Sequence, residues 1–123
     1  MKLRIKGNSV RLRLTKSDVE KLCTAAYLED KTSFGETFFT YSIESRDCKE
    51  LTAEFKNNKM TVYIPSSFTN GWNNNETVGF ENNISLNNGE QLHILIEKDF
   101  KCLDETTEDQ SDNFENPHIT CQE

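Results

Sequence analysis

No stretch of this 123-residue sequence approaches the roughly 18 consecutive apolar residues that a helical membrane span needs. A secretory signal is missing as well: Lys2, Arg4 and Lys6 interrupt any apolar run at the N-terminus, and no small-residue cleavage site follows. The expected compartment is the cytosol, with no membrane partner. There the four cysteines, Cys23, Cys48, Cys102 and Cys121, are expected to stay reduced, and none of them forms a C-x-x-C pair. Asn75-Glu76-Thr77 and Asn83-Ile84-Ser85 match the glycosylation pattern but carry little weight without a secretory signal. There is no G-x-S-x-G elbow, no P-loop and no G-x-G-x-x-G, and the only histidines are His93 and His118. The reading is therefore a non-enzymatic protein. Apolar residues make up 34% of the chain, against about 45–50% including Gly in an average globular domain. The shortage falls in Asn-rich loops and in the last twenty residues, which leaves the rest enough apolar side chains for one core.

Charge is distributed unevenly. The net charge is −7, yet residues 1–16 carry six basic side chains and no acid, whereas residues 101–123 carry seven acids and one Lys. An acidic body is not drawn to nucleic acid as a whole, because steering follows the summed field. A local basic face can still act at short range.

The strongest organisational signal is an internal repeat. Residues 1–17 align without gaps onto 51–67, so that Met1, Leu3, Ile5, Val10, Leu12 and Leu14 fall on Leu51, Ala53, Phe55, Met60, Val62 and Ile64. Apolar residues alternate, break at Gly7-Asn8 or Asn57-Asn58, and alternate again, which is the pattern of a half-buried β-hairpin. After the first hairpin a helix is expected over 17–28. Ser17 and Glu20 are placed as its capping box, and Val19, Leu22, Cys23 and Ala26 form its buried stripe. After the second, Phe68 and Trp72 stand four apart. A third strand is then expected to close each half, with Phe39, Tyr41 and Ile43 matching Leu92, Ile94 and Ile96. The sequence thus predicts an α+β, mainly β fold of six or so strands, with duplicated hairpins packed as a pseudo-twofold barrel or sandwich around one main helix. A single domain is expected over 1–102, with halves 1–47 and 51–100, followed by an acidic polar segment, 103–123, that reads as loop or tail.

Three constellations bear on function. Alternation places Lys2, Arg4, Lys6, Arg11 and Arg13 together on the outer side of the first hairpin, a patch suited to nucleic acid or another polyanion. The plainer reading is a solvated strand face paired with acids elsewhere in the chain. In the C-terminal segment Cys102, His118 and Cys121 offer thiolate and imidazole ligands for Zn²⁺, but C-x15-H-x2-C fits no standard zinc spacing. No cofactor is the expectation, with zinc the one exception to test. The carboxylates Glu108, Asp109, Asp112 and Glu115 do not follow the calcium-loop order and read as solvated tail. His93, between Leu92 and Ile94, reads as a surface histidine.

Two resemblances follow from particular blocks. The opening K-L-R-I-K-G-N-S-V-R-L-R-L-T-K-S-D-V, about twenty residues, resembles the start of AbrB/MazE-like transition-state-regulator and antitoxin domains. That family's interlocked dimer, and its DNA contacts through basic hairpin residues, would be mimicked here by an internally duplicated chain. The second copy departs from the pattern, since Arg4, Arg11 and Arg13 align with Glu54, Thr61 and Tyr63. Together with the closing E-K-D-F-K-C-L-D-E-T-T-E-D-Q-S-D-N-F-E-N-P, the opening also resembles a family of small bacterial proteins known only as a domain of unknown function. That likeness implies a bacterial cytosolic origin and no activity. The leading reading is a binding or regulatory module of unknown ligand, its partner a protein or DNA. A DNA-binding regulator and a metal-binding protein are the alternatives.

Overall fold

A computed structural model describes residues 1–100 together with Asp112 and Phe114. Eight strands run through it in chain order: β1 (Lys2–Lys6), β2 (Ser9–Leu14), β3 (Tyr27–Ser33), β4 (Phe38–Arg46), β5 (Thr52–Lys56), β6 (Lys59–Pro65), β7 (Gly79–Ser85) and β8 (Gln91–Lys98). Helix α1 (Lys16–Ala25) follows the first hairpin. A single helical turn, α2 (Ser66–Thr69), and a 3₁₀ turn at Trp72–Asn74 follow the second. The strands form two four-stranded sheets, ordered β1-β2-β8-β7 and β3-β4-β6-β5. The fold is therefore mainly β and sandwich-like, and the sheets do not close into a barrel.

The repeat is visible bond by bond. Lys2↔Arg13 through Lys6↔Ser9 in the first hairpin recur fifty residues later as Thr52↔Tyr63 through Lys56↔Lys59. Strands β4 and β8 correspond at an offset of 53, so Phe39, Tyr41 and Ile43 match Leu92, Ile94 and Ile96, as the alternation implied. The third strand does not close its own half, however. β4 runs parallel to β6, and β8 runs parallel to β2. Each sheet thus joins the opening hairpin of one half to the closing hairpin of the other, and the halves interlock. Neither hairpin has a buried partner until its counterpart arrives, because an isolated pair of strands is marginal in water.

One core fills the space between the sheets. Val10, Leu12 and Leu14 of β2 and Ile94 and Ile96 of β8 line one inner face; Met60, Val62 and Ile64 of β6 and Ile43 of β4 line the other. Val19 and Leu22 of α1 and Trp72 complete the same cluster.

Three local expectations change. Helix α1 starts one residue early because β2 ends at Leu14 and Thr15 is already extended. Thr15 and Asp18, rather than Ser17 and Glu20, form the reciprocal capping box. The helix ends at Ala25, since Ala26 turns left-handed at φ 61 and is exposed instead of joining the buried stripe. Residues 27 and 28 then open β3, an edge strand in which only Leu28 is fully buried. The cap makes a simple prediction. Thr15→Ala should lower stability in urea by about 1 kcal/mol, and a change below a few tenths would show that the cap is dispensable.

The N-terminal turn of α1 also receives Asp112. Its backbone oxygen accepts from Lys16 N at 2.9 Å, and its carboxylate accepts from Ser17 N and Ser17 Oγ at 3.2 and 2.8 Å. The Ser17 hydroxyl is the main reason the Asp112 carboxyl titrates below its ordinary value. Phe114 forms a bridge with Phe100 and lies edge-on to its ring.

Candidate anion-binding site

In antiparallel and parallel pairs alike, residues in register share a face. The outer face of the first sheet therefore reads in rows across β1, β2, β8 and β7: Lys2–Arg13–Glu97–Gly79, then Arg4–Arg11–Leu95–Glu81, then Lys6–Ser9–His93–Asn83. All five cations singled out from the sequence stand together on its β1–β2 half. Successive rows are about 7 Å apart, two residues along a strand.

The cations divide by their partners. Glu97, with its side chain only 15% exposed, sits where the Arg rows meet. Its Oε1 accepts from Arg11 Nε and Nη2, each at 2.6 Å, and from Arg13 Nε at 3.1 Å. Gly79 lies opposite Glu97 on β7, and a Cβ there would stand 2.4 Å from Ile96 O and 2.8 Å from Glu97 Cα and Cβ. Only glycine lets β7 approach Glu97 this closely. Lys2 Nζ stands 3.3 Å from Asp99 Oδ2. Arg4 and Lys6 are exposed, and among the described residues neither has an ion-pair partner. Two shallow depressions follow the hairpin. One of about 330 Å³ is lined by Lys2, Leu3, Arg4, Arg11 and Arg13, and one of about 260 Å³ by Arg4, Lys6, Ser9 and Arg11. Beside the second, His93 Nδ1 lies 3.3 Å from Ser9 Oγ and His93 Nε2 lies 3.9 Å from Glu81 Oε2.

The corresponding face of the second sheet mixes lysines with carboxylates and phenols. Its rows are Thr52–Tyr63–Glu44–Tyr27, Glu54–Thr61–Ser42–Glu29 and Lys56–Lys59–Thr40–Lys31. Lys59 Nζ bonds Tyr27 Oη at 2.6 Å and pairs with Glu29 at 3.3 Å. The Tyr27 hydroxyl, then Lys59, holds the Glu29 carboxyl below its ordinary value. Tyr63 donates to Glu54 at 2.9 Å, which raises its phenol, while Arg46 pairs with Glu44 and lies over the Tyr63 ring. At the positions equivalent to Arg4, Arg11 and Arg13 the second sheet carries Glu54, Thr61 and Tyr63, while Lys56 stands where Lys6 does and lines a depression of about 250 Å³ with Glu54, Lys59 and Thr61.

The remaining sequence candidates separate. Cys102, His118 and Cys121 lie outside the described residues, as do Glu108, Asp109 and Glu115. Cys23 is half-buried and donates to Thr69 O at 3.1 Å. Phe68, Trp72 and Phe80 pack on one another, with Phe80 4.8 Å from the Phe68 ring and 5.0 Å from Trp72. That cluster packs against the core. Sequence reasoning missed Glu97 as the hub of the arginines and Ser9 and His93 as neighbours. Both depend on β2 lying beside β8, which no alternation pattern reveals.

The model of a family of unknown function, DUF7009, matches residues 1–118. No curated protein and no solved structure matches the chain.

Proposed function

We propose, for a chain that belongs to this family of unknown function, a non-enzymatic binding module that takes an anionic macromolecule on the outer face of its first sheet. The observation that carries this reading is the pair Arg4 and Lys6, exposed and open beside two arginines that Glu97 holds in place. Fixed arginines and open cations in adjacent rows form a surface that neutralises neighbouring phosphates and releases their counterions. The phosphate backbone of duplex nucleic acid is the partner this face suits. Single strands are usually gripped by aromatic stacking, and the rows of this face hold no Phe, Tyr or Trp. Backbone contacts of this kind position a protein on a duplex without reading its sequence. The net charge of −7 keeps the rest of the body away from the duplex and limits contact to this face. The bacterial cytosol is the compartment we assign, from the likeness of the chain's two terminal blocks.

The non-enzymatic part of the reading rests on backbone geometry. Ser9, His93 and Glu81 stand in a chain of contacts, but β2 is paired on both sides, so the N–H groups around Ser9 are committed to the ladder. None of them is left as the backbone oxyanion donor that an acyl-transfer serine needs beside its hydroxyl.

Anisotropy of a short labelled duplex tests the proposal. Binding should appear at low salt and fall as salt rises, with a logarithmic slope of about −3 for three to four phosphate contacts. Arg4→Glu with Lys6→Glu should weaken it at least tenfold, whereas Lys31→Glu with Lys56→Glu, on the second sheet, should leave it nearly unchanged. No binding at low salt, or equal loss in both double variants, would overturn the reading.

A further inference from the structure

Resting on that reading, we infer that the depression lined by Arg4, Lys6, Ser9 and Arg11 is a seat for one tetrahedral oxyanion, phosphate or sulfate in type, and that binding there takes up a proton on His93. The argument starts from what Ser9 can offer an anion. Its hydroxyl has one proton to donate, and its oxygen stands 3.3 Å from His93 Nδ1. On the far side of the ring, His93 Nε2 faces the Glu81 carboxylate at 3.9 Å. A neutral imidazole next to a carboxylate keeps its proton on the nitrogen that faces it, because a lone pair turned toward an anion is repelled. That places the proton on Nε2 and leaves Nδ1 as an acceptor. The Ser9 hydroxyl then donates to the ring, and its lone pairs face the depression. In this state Ser9 repels an incoming oxyanion.

A second proton reverses the arrangement. Nδ1–H donates to Ser9 Oγ, the Ser9 O–H turns into the depression, and the imidazolium adds a positive charge at its edge. The oxyanion then meets the Arg4 guanidinium, the Lys6 ammonium and one hydroxyl donor, with Arg11 bordering the depression. Such charge-assisted bonds are about twice as strong as neutral ones. The groups facing His93 are few. On β2 they are Ser9 and, one row away, Arg11; on β7 they are Asn83 and Glu81; on its own strand they are Gln91 and Leu95; Arg4 and Lys6 lie beyond on β1. Glu81 is the one carboxylate next to the ring among the described residues, and its side chain is 66% exposed. It orients the imidazole without neutralising the seat. Arg11 stays fixed by Glu97 throughout, so the seat is rigid on one side and switchable on the other.

Sulfate is the probe that isolates this linkage, since its charge does not change across the range where histidine titrates. An NMR titration of the full chain with sodium sulfate, at constant ionic strength made up with chloride, reads the amides of Ser9 and Arg11. Between pH 8 and pH 6, a range that stays above the isoelectric point of about 4.9, sulfate affinity should rise about fivefold. His93→Gln should keep the weaker binding and flatten the pH dependence. Ser9→Ala should reduce the rise without abolishing it. A pH-independent wild type, or a pH dependence that survives His93→Gln, would overturn the inference. A labelled duplex in the same buffers identifies the source of the anion. Displacement of duplex by sulfate, with the same dependence on His93, places a backbone phosphate in the seat. Proton-linked sulfate binding with no duplex binding supports the seat for a free oxyanion and removes the macromolecular partner. Duplex binding without sulfate binding removes the seat and leaves the partner.

Discussion

Trp72→Ala will cost about 3–5 kcal/mol, the range for deleting a fully buried large aromatic side chain. Trp72 is the largest fully buried side chain among the described residues, with 0% exposure. Its ring lies 5.0 Å from Phe80 of β7, its indole N–H donates to Thr77 O at 2.8 Å, and Lys98 Nζ stands 5.7 Å from the ring. One residue thus joins the crossover of the second half to both strands of its closing hairpin. Truncation leaves a cavity and also leaves Thr77 O without its donor. A domain of this size has a total stability of about 5–15 kcal/mol, so the variant will be near its unfolding threshold at room temperature. Because Trp72 is the only tryptophan, unfolding in urea must be followed by circular dichroism. Trp72→Phe separates the two losses. It keeps a ring against Phe80, drops the N–H, and should cost about 1–3 kcal/mol. A fall under 1 kcal/mol in Trp72→Ala would mean that Trp72 caps the core without supporting it.

The same residue shows what the sequence made legible. The spacing of Phe68 and Trp72 pointed to packing, although they sit in two separate turns and Phe80 joins them from β7. Strands β1, β2, β5 and β6 were readable because Val10, Leu12 and Leu14, and likewise Met60, Val62 and Ile64, alternate with polar residues. β4 and β8 were readable as each other's counterparts. β3 and β7 were not. Both are edge strands, and in Tyr27–Ser33 only Leu28 is fully buried, while Gly79–Ser85 is half Asn, Gly and Ser. Their pairing comes from the backbone of β4 and β8 and leaves almost no apolar period to read. The interlock was hidden for a related reason. Alternation says which face a residue occupies and nothing about which strand lies alongside. The five cations needed only the face, so they were found; Glu97, Ser9 and His93 needed the neighbour. The equal spacing of the repeat hid a further asymmetry, since Arg11 and Arg13 map onto Thr61 and Tyr63. The two faces share a geometry, but Arg4, Arg11 and Arg13 have no basic counterparts on the second.

Glu97 is where stability and binding should part company. Glu97→Lys will lower stability by about 2–3 kcal/mol, less than for a fully buried pair because the Arg11 side chain is 33% exposed. The wild-type oxygen accepts three N–H groups from two arginines, whereas the substituted ammonium has no acceptor and adds a third positive charge between them. Glu97→Gln is the milder change. It retains a carbonyl for one guanidinium and should cost about 1–2 kcal/mol, the worth of a charge-assisted hydrogen bond. In the anisotropy assay the sign is opposite. Removing the carboxylate lifts the field over the Arg rows and releases Arg11 to phosphate, so Glu97→Gln should bind duplex about three to ten times more tightly at low salt, with a steeper salt slope. A purely structural arginine cluster predicts otherwise: weaker folding and unchanged or weaker binding, because the cations would lose the geometry that Glu97 provides. Measuring both quantities on one preparation of Glu97→Gln therefore decides between the two accounts. Reduced stability with tighter, more salt-sensitive binding means that Glu97 restrains the cations of a working anion face. Reduced stability without tighter binding means that the face exists to hold β2 against β8.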